Sequence, residues 1–193
     1  MTKKKEELPK KSEKEISPKE IVKAAFSKER VLSENSDAAR ELYNQGRYGT
    51  LLEDGRVQLS LIESLYLVDK KRLIVYDSRN KILDFDVLLR KAQKAEPNFW
   101  TRYMVYKDIR NRGYIIKTAL KFGADFRVYD RGIKPGEDHA KWIMYPVRET
   151  SGTTWYEFSA KNRVAHSTRK RLLIAVVDEE LDCTFYEIAW TRP

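Results

Sequence analysis

The stretch that decides the fold is Phe99-Trp-Thr-Arg-Tyr-Met-Val-Tyr-Lys-Asp-Ile-Arg-Asn-Arg-Gly-Tyr-Ile-Ile-Lys117, where a helical pattern gives way to a strand pattern. Its large apolar side chains recur at three- and four-residue spacing: Trp100, Tyr103, Tyr106 and Ile109. This spacing predicts a helix over residues 99–112 that ends at Gly113. An aromatic stripe of this kind also resembles a base-stacking platform, but packing of the helix on a core is the favoured interpretation.

Downstream of this helix, short apolar runs alternate with turns and predict a sheet. The predicted strands cover residues 114–117, 125–129, 141–147, 172–177 and 183–190, and a helix is expected over residues 159–169. The C-terminal half is therefore predicted to be an α/β unit.

Upstream, the helix-start signals are clear. Ser17, Pro18 and Glu20 have the pattern of a capping box and predict a helix over residues 17–31. Ser60 and Glu63 form a second capping box at the start of another helix. Further helices are predicted over residues 37–45 and 84–95, a strand over 72–76, and a turn between two short strands at 53–56.

A change of composition near residues 95–99 divides the chain. We predict a flexible Lys/Glu-rich tail over residues 1–16, a small N-terminal α/β domain over 17–97 and a C-terminal domain over 98–193. The overall class is α/β, or α+β.

Composition limits the possible functions. The net charge of +9 and pI of about 9.5 suit a polyanionic partner, although an ordinary basic protein has the same values. Cys183 is the only cysteine, so no internal disulfide is possible. With two histidines, neither a zinc-finger nor an HExxH site can be written, and we expect no metal and no cofactor. No apolar run approaches the ~18 residues of a membrane span, and no signal-peptide core is present, so a soluble cytoplasmic protein is expected.

Three residues could together cleave RNA at neutral pH. Tyr129 offers a phenol, His139 an imidazole and Lys170 an ammonium group. RNA carries its own 2′-OH nucleophile, so a catalyst needs a base, an acid and a cation near the phosphate. Each residue also has an ordinary interpretation, as a packing tyrosine, a loop histidine and a solvated lysine. His166 is a second candidate for the acid.

The segments around these residues resemble the archaeal tRNA-splicing endonuclease family. The matching segments are residues 106–114, 117–125, Tyr129-Asp-Arg-Gly132, Asp138-His139, Val164-Ala-His-Ser167 and Arg169-Lys170, with a looser match over 59–73. The resemblance implies a restriction-endonuclease-like α/β/α catalytic domain with a mixed sheet. It also implies that Tyr129 is the base, His139 the acid and Lys170 the transition-state stabiliser. The implied activity is that of a metal-independent tRNA-intron lyase, which cuts bulge–helix–bulge precursor tRNA at both intron boundaries and leaves 2′,3′-cyclic phosphate and 5′-hydroxyl ends.

The resemblance further implies RNA-binding residues and an assembly. Arg163 matches an arginine that stacks on a flipped bulge adenine, and Arg192 is the candidate for its partner. An acidic loop docks into a basic pocket of another subunit in this family, and here the matching acids are Asp178, Glu179, Glu180 and Asp182. We expect a homotetramer whose final strands pair across subunits. A heterotetramer with a separate structural subunit is the alternative.

Three other functions are compatible with parts of the sequence. A non-catalytic structural subunit of the same assembly would bind RNA without cutting it. A metal-dependent nuclease would need clustered carboxylates, and the C-terminal half has no convincing cluster of this kind. A general basic RNA-binding protein would also bind without cleavage.

Overall fold

The computed structural model describes residues 20–133, 136 and 139–191. The strands over these ranges are β1 (Val22–Ser27), β2 (Arg30–Ser33), β3 (Thr50–Leu51), β4 (Val57–Ser60), β5 (Leu73–Tyr76), β6 (Ile82–Leu83), β7 (Ile115–Ala119), β8 (Ala124–Tyr129), β9 (Trp142–Arg148), β10 (Arg171–Val177) and β11 (Cys183–Ile188). The helices are α1 (Asp37–Asn44), α2 (Leu61–Asp69), α3 (Phe85–Ala95), α4 (Phe99–Asn111) and α5 (Trp155–Ser167), with a 3₁₀ turn at Leu120–Phe122.

The first six strands form a mixed sheet in the order β3-β4-β2-β1-β5-β6. Strand β1 runs parallel to β5, with Val22 opposite Leu73, and the other pairs are antiparallel. Helix α2 begins at the predicted capping box: the Ser60 side chain accepts from the Glu63 backbone N–H, and the Glu63 carboxylate accepts from the Ser60 N–H.

The helix predicted over residues 17–31 is wrong, because β1 and β2 occupy its second half. Ser17 and Pro18, which carried the signal, lie outside the described residues, as does the predicted tail over 1–16. Val22 and Ala24 are buried while the residues between and after them are exposed, so the side chains alternate with a strand period. Pairing with β5, which is distant in sequence, therefore overrides the local helix signal.

The last five strands form a second mixed sheet in the order β11-β10-β9-β8-β7, with β9 and β10 parallel. Helix α4 packs on one face, where it shares a core with Phe126, Val128 and Met144. Helix α5 covers the other face, where Ala165 packs with Ile143 and Leu172. A sheet between two helical layers confirms the predicted α/β/α architecture.

The other predicted elements are confirmed, with ends that differ from the predicted ones by up to four residues. Helix α5 begins at Trp155, earlier than predicted, because Thr154 and Glu157 form a capping box that the sequence analysis missed. The final strand, predicted to reach residue 190, ends at Ile188.

The two sheets share one apolar core. The Tyr66 ring of α2 meets the Tyr106 ring of α4 edge-on at 5.6 Å between centroids, and Tyr106 in turn contacts Phe126 at 6.1 Å. The predicted boundary between residues 97 and 98 stays a prediction. The shared core holds the C-terminal sheet in a defined orientation against the N-terminal unit.

Candidate active site

Three adjacent strands bring two of the predicted catalytic residues, Tyr129 and Lys170, to one end of the C-terminal sheet. The Lys141 N–H donates to Val128 O at 2.9 Å, and the Arg171 N–H donates to Lys141 O at 3.0 Å. In the strand register Val128 is opposite Trp142 and Trp142 is opposite Arg171, so both bonds belong to this last paired row. Tyr129, Lys141 and Lys170 are the next residues beyond that row, all at the same end of the sheet. We call these three positions the end row. With strands about 4.8 Å apart, the backbones of Tyr129 and Lys170 are about 10 Å apart.

Tyr129 is the last residue of β8 and is only 4% exposed. The Arg127 guanidinium lies 5.9 Å from the centroid of its ring. Because side chains alternate along a strand, these two residues share the face of the sheet that α5 covers. The phenol therefore projects from a rigid strand end beside a cation.

His139 lies on the loop between β8 and β9 and is exposed. The base of this loop is closed by an ion pair between Lys141 Nζ and Asp130 Oδ2 at 2.6 Å. The hydrogen bond from Lys141, with that from the Arg131 N–H, keeps the pKa of Asp130 below its usual value. His139 therefore stands two residues from a fixed anchor. Asp138, its neighbour in the family motif, lies outside the described residues.

Lys170 is positioned by the end of α5. Its N–H donates to Ala165 O at 2.8 Å, and the Arg169 N–H donates to His166 O at 2.9 Å, which is the Schellman pattern of helix termination. Arg169 takes the left-handed conformation, with φ of 54°. The Lys170 ammonium donates to Thr168 O at 2.9 Å. A helix end and a strand start together fix this lysine in the end row.

Helix α5 carries further functional candidates toward the same end. Arg163 and His166 are both exposed and lie one turn apart. The His166 ring contacts Trp190 edge-on at 4.3 Å between centroids. In the sequence, Trp190 is marked only as the end of the predicted last strand, and no motif indicates a functional role for it. Arg192, the predicted partner of Arg163, lies outside the described residues.

The acidic segment is a tight loop between β10 and β11. The Asp178 N–H donates to Asp182 O at 3.1 Å, and the Asp182 N–H donates to Asp178 Oδ1 at 2.8 Å. Leu181 adopts a φ of 70° and packs on the main core. Glu179 and Glu180 are exposed at the tip. The loop therefore presents two carboxylates from a firmly closed base.

A polar cleft of about 670 Å³ lies between the two sheets. Two of its cations are paired internally: Lys117 with Glu63 at 3.1 Å, and Arg102 with Glu96. The remaining cations that line it are Arg30, Arg47 and Arg127. The buried Arg127 Nε has no hydrogen-bond partner among the described residues. No local sequence pattern indicates this cleft, because its walls come from segments far apart in the chain.

The described ranges contain neither a cluster of metal-ligating side chains nor a helix that could cross a membrane. Within residues 20–133, 136 and 139–191, no three His, Cys, Asp or Glu side chains are grouped so that they could hold a metal ion. In the same part of the chain, no helix is both long and apolar enough to cross a bilayer.

Comparison with known proteins gives consistent matches across the chain. Residues 99–185 match the family "tRNA intron endonuclease, catalytic C-terminal domain", and residues 22–89 match "tRNA intron endonuclease, N-terminal domain". A tRNA-splicing endonuclease of Thermococcus onnurineus is 40% identical over 174 residues, which is 90% of this chain and 99% of that protein. A tRNA-splicing endonuclease of Nanoarchaeum equitans is 45% identical over 142 residues, 70% of this chain and 90% of its own length. One of Pyrococcus furiosus is 38% identical over 174 residues, 90% of this chain and 99% of its own length.

Proposed function

We propose, from the premise that this chain belongs to the tRNA intron endonuclease family, that it cuts precursor tRNA at both splice sites of a bulge–helix–bulge motif without a metal ion. The observation that supports this proposal is the end row. A phenol at the end of β8 and an ammonium group just before β10 lie at the same end of the sheet, one on each side of β9, and the His139 loop lies between them in sequence. A phosphate bound at this end of the sheet would meet all three groups.

In the proposed reaction the substrate supplies its own nucleophile. Tyr129 takes the proton of the 2′-OH, and the 2′-oxygen forms a bond to the phosphorus. The bond from phosphorus to the 5′-oxygen breaks, and His139 gives that oxygen a proton. Lys170 stabilises the negative charge that builds up on the phosphoryl oxygens. The products are a 2′,3′-cyclic phosphate and a 5′-hydroxyl, as expected for a tRNA-intron lyase.

Arginines are proposed to hold the RNA next to this centre. Arg163 is exposed on α5 about two turns before Lys170, so its planar cation can stack on an unpaired adenine. Arg192 is proposed as its partner on the other side of the base.

Two splice sites need two active sites, so we propose a homotetramer. The loop with Glu179 and Glu180 at its tip would dock into the polar cleft of another subunit. The cleft offers Arg30, Arg47 and Arg127, and the orphan Nε of Arg127 suits a carboxylate. Strand β11 ends the sheet order and would pair with its copy in a second subunit. A heterotetramer with a structural subunit is the alternative assembly, and the proposed location is the cytoplasm.

Cleavage of an end-labelled bulge–helix–bulge RNA in excess EDTA tests the reaction. Wild type should make two cuts that leave cyclic-phosphate ends. His139→Ala, Tyr129→Phe and Lys170→Met should each slow cleavage by roughly 10²- to 10⁴-fold. Tyr156→Phe and Lys94→Met are matched controls at exposed positions away from the end row, and they should cleave like wild type.

Each failure has a distinct meaning. Cleavage that depends on Mg²⁺ and leaves a 3′-hydroxyl would indicate a metal-dependent nuclease. Binding without cleavage would indicate a structural subunit. If the affinity were the same for RNA with and without the bulges, it would indicate a general RNA-binding protein. Cleavage only after a second subunit is added would indicate the heterotetramer.

A charge swap tests the assembly. Glu180→Arg should weaken docking and shift the mass measured by sedimentation toward the dimer, whereas Glu53→Arg on an exposed turn should not. Arg47→Glu should have the same effect as Glu180→Arg. If loop and cleft meet as proposed, the double variant should recover part of the tetramer; no recovery would argue against this contact.

A further inference from the structure

An ion pair joins the two ends of the loop that carries His139. This loop begins at Asp130, directly after β8, and ends at Lys141, directly before β9. The two residues are eleven positions apart in the chain, and Lys141 Nζ lies 2.6 Å from Asp130 Oδ2. The ends of the loop are therefore joined by their side chains as well as by the pairing of the strands.

Both partners of this ion pair are held by further contacts. The Arg131 N–H donates to Asp130 Oδ1 at 3.0 Å, and the Ile133 N–H donates to Asp130 O at 3.2 Å. On the other side, the Lys141 backbone is hydrogen-bonded to its two neighbouring chain segments, and its ammonium lies 4.5 Å from the centroid of the Trp142 ring. Two side chains that are already restrained lose less conformational entropy when they pair. The ion pair is thus a defined contact rather than one of many surface arrangements.

The connection from this ion pair to His139 is short. His139 is exposed, but the next residue, Ala140, is only 5% exposed, and Lys141 follows it. One buried residue therefore separates the imidazole-bearing position from the anchored lysine, so a shift of Lys141 displaces the backbone of His139. A displacement of about 1 Å can slow a catalysed reaction by about 10²-fold. The precision of this anchor therefore matters for proton transfer.

Lys141 has an alternative role as a direct ligand of the phosphate, because it belongs to the end row. Its ammonium, however, is paired with Asp130 and lies over the Trp142 ring. Direct binding of a phosphate would break this ion pair, whereas a role in positioning uses the pair as it stands. The observed contacts therefore favour positioning.

We propose that the ion pair between Asp130 and Lys141 holds the loop so that His139 reaches the leaving 5′-oxygen. This inference rests on the proposed function and extends it by adding two positioning residues, which act through His139. Neither residue touches the substrate. Loss of the pair should therefore slow the step in which the imidazole protonates the 5′-oxygen, and should leave the affinity for RNA unchanged.

Single-turnover cleavage at saturating enzyme concentration tests the pair. Asp130→Asn removes the charge but keeps an oxygen that can accept from the Arg131 N–H, and Lys141→Met removes the ammonium. Each variant should lower the rate constant roughly 10-fold. The double variant should lose no more than either single one, because both changes remove the same interaction. Lys141→Arg, which keeps the positive charge, should retain most of the rate.

A second ion pair provides the matched control. Asp54 pairs with Arg56 at 2.6 Å on an exposed turn remote from the end row, and Asp54→Asn should cleave like wild type. Losses that multiply in the double variant of Asp130 and Lys141, or a loss of RNA affinity in place of rate, would overturn the proposal. Asp130→Asn is nearly isosteric, so it keeps the test decisive should Lys141→Met not fold.

An RNA with sulfur in place of the 5′-oxygen at the scissile bond shows whether the pair acts through the acid. A thiolate leaves without first being protonated, so this substrate does not need a general acid. Asp130→Asn and His139→Ala should therefore cleave it at nearly the wild-type rate, while Lys170→Met should remain slow. If Asp130→Asn is equally slow on both RNAs, the pair does not act through His139 and the proposal is wrong.

A measurement without RNA separates this inference from the proposed reaction. The chain has two histidines, so protein labelled with ¹⁵N-histidine gives two backbone amide signals, which His166→Gln assigns. Relaxation measurements on these signals should show that Asp130→Asn and Lys141→Met make the His139 amide more mobile and leave the His166 amide unchanged. Unchanged mobility of His139 overturns the anchor, whether or not RNA is cleaved. Increased mobility in the variants of a protein that never cleaves would overturn the reaction and keep the anchor.

Discussion

At the residue scale, Glu63 is the buried carboxylate that joins the two units. It accepts hydrogen bonds from Gly49 N, Ser60 N and Ser60 Oγ, and it pairs with Lys117 of the C-terminal sheet at 3.1 Å. Removing one partner of a buried pair leaves the other charge uncompensated. We expect Glu63→Gln to lower the free energy of unfolding by about 3 kcal/mol at neutral pH. Urea titration measures this loss, and Glu53→Gln on the exposed turn should show none.

The same carboxylate predicts a pH dependence. Burial by itself would raise the pKa of Glu63, but the Lys117 ammonium and the hydrogen bonds outweigh it, so the pKa lies below its usual 4.5. Because the pKa of Glu63 is lower in the folded state, its carboxylate contributes fully to the free energy of unfolding above the pKa of the unfolded state. This contribution is lost as the pH falls through the pKa of the folded state. The stability difference between wild type and Glu63→Gln should therefore be constant at neutral pH and shrink below about pH 4.5. A difference that stays constant down to about pH 2 would contradict this assignment.

Tyr106 offers a second test at this scale. Its ring is 1% exposed in the shared core, and its hydroxyl has no hydrogen-bond partner in the described part of the chain. Burial accordingly raises the pKa of Tyr106 well above 10. Tyr106→Phe should leave thermal stability unchanged or raise it by up to about 1 kcal/mol, because an unsatisfied polar group is removed. Tyr106→Ala should lower the free energy of unfolding by about 4 kcal/mol. A comparable loss in Tyr106→Phe would show that the hydroxyl of Tyr106 makes a stabilising hydrogen bond.

At the scale of elements, helix α5 ends in a turn whose backbone conformation is strained at Arg169. Arg169 occupies the left-handed position of the Schellman turn, which is unfavourable for a residue with a Cβ atom. Arg169→Gly and Arg169→Ala both remove the guanidinium, but only glycine relieves the backbone. Arg169→Gly should therefore be more stable than Arg169→Ala by about 1 kcal/mol in thermal unfolding. Equal stabilities would mean that this turn is not strained.

Most elements were predictable because their signals are local. Capping boxes, turns and helical spacing identified α2, α3, α4 and the main strands before any tertiary contact was known. The first two strands were not predictable in this way, because their alternation becomes decisive only when β5 lies beside β1. Likewise, the cleft is built from Arg30, Arg47 and Arg127, and no local pattern brings these residues together.

At the scale of the whole molecule, the shared core predicts cooperative unfolding. All four tryptophans lie beyond residue 98, so their fluorescence reports on the C-terminal unit alone. Leu59 of β4 is fully buried in the N-terminal unit and belongs to the common core. Leu59→Ala should lower the free energy of unfolding by about 3 kcal/mol. The unfolding midpoint measured by tryptophan fluorescence should shift by the amount that corresponds to this loss.

The control for this prediction is a probe of both units. Far-UV circular dichroism should give the same midpoint as tryptophan fluorescence at one fixed protein concentration. A fluorescence midpoint that ignores Leu59→Ala, while the dichroism signal shifts, would show two units that unfold independently.

By itself, the sequence determined the elements with strong local signals and the positive charge, and it indicated three candidate catalytic residues, Tyr129, His139 and Lys170. These follow from residue types and short-range spacing, which any folded arrangement of the chain must respect. Only the tertiary structure decided that Tyr129, Lys141 and Lys170 lie at the same end of the sheet. Their proximity depends on strand order and register, and register is set by packing on both faces of a sheet rather than by neighbours in the chain.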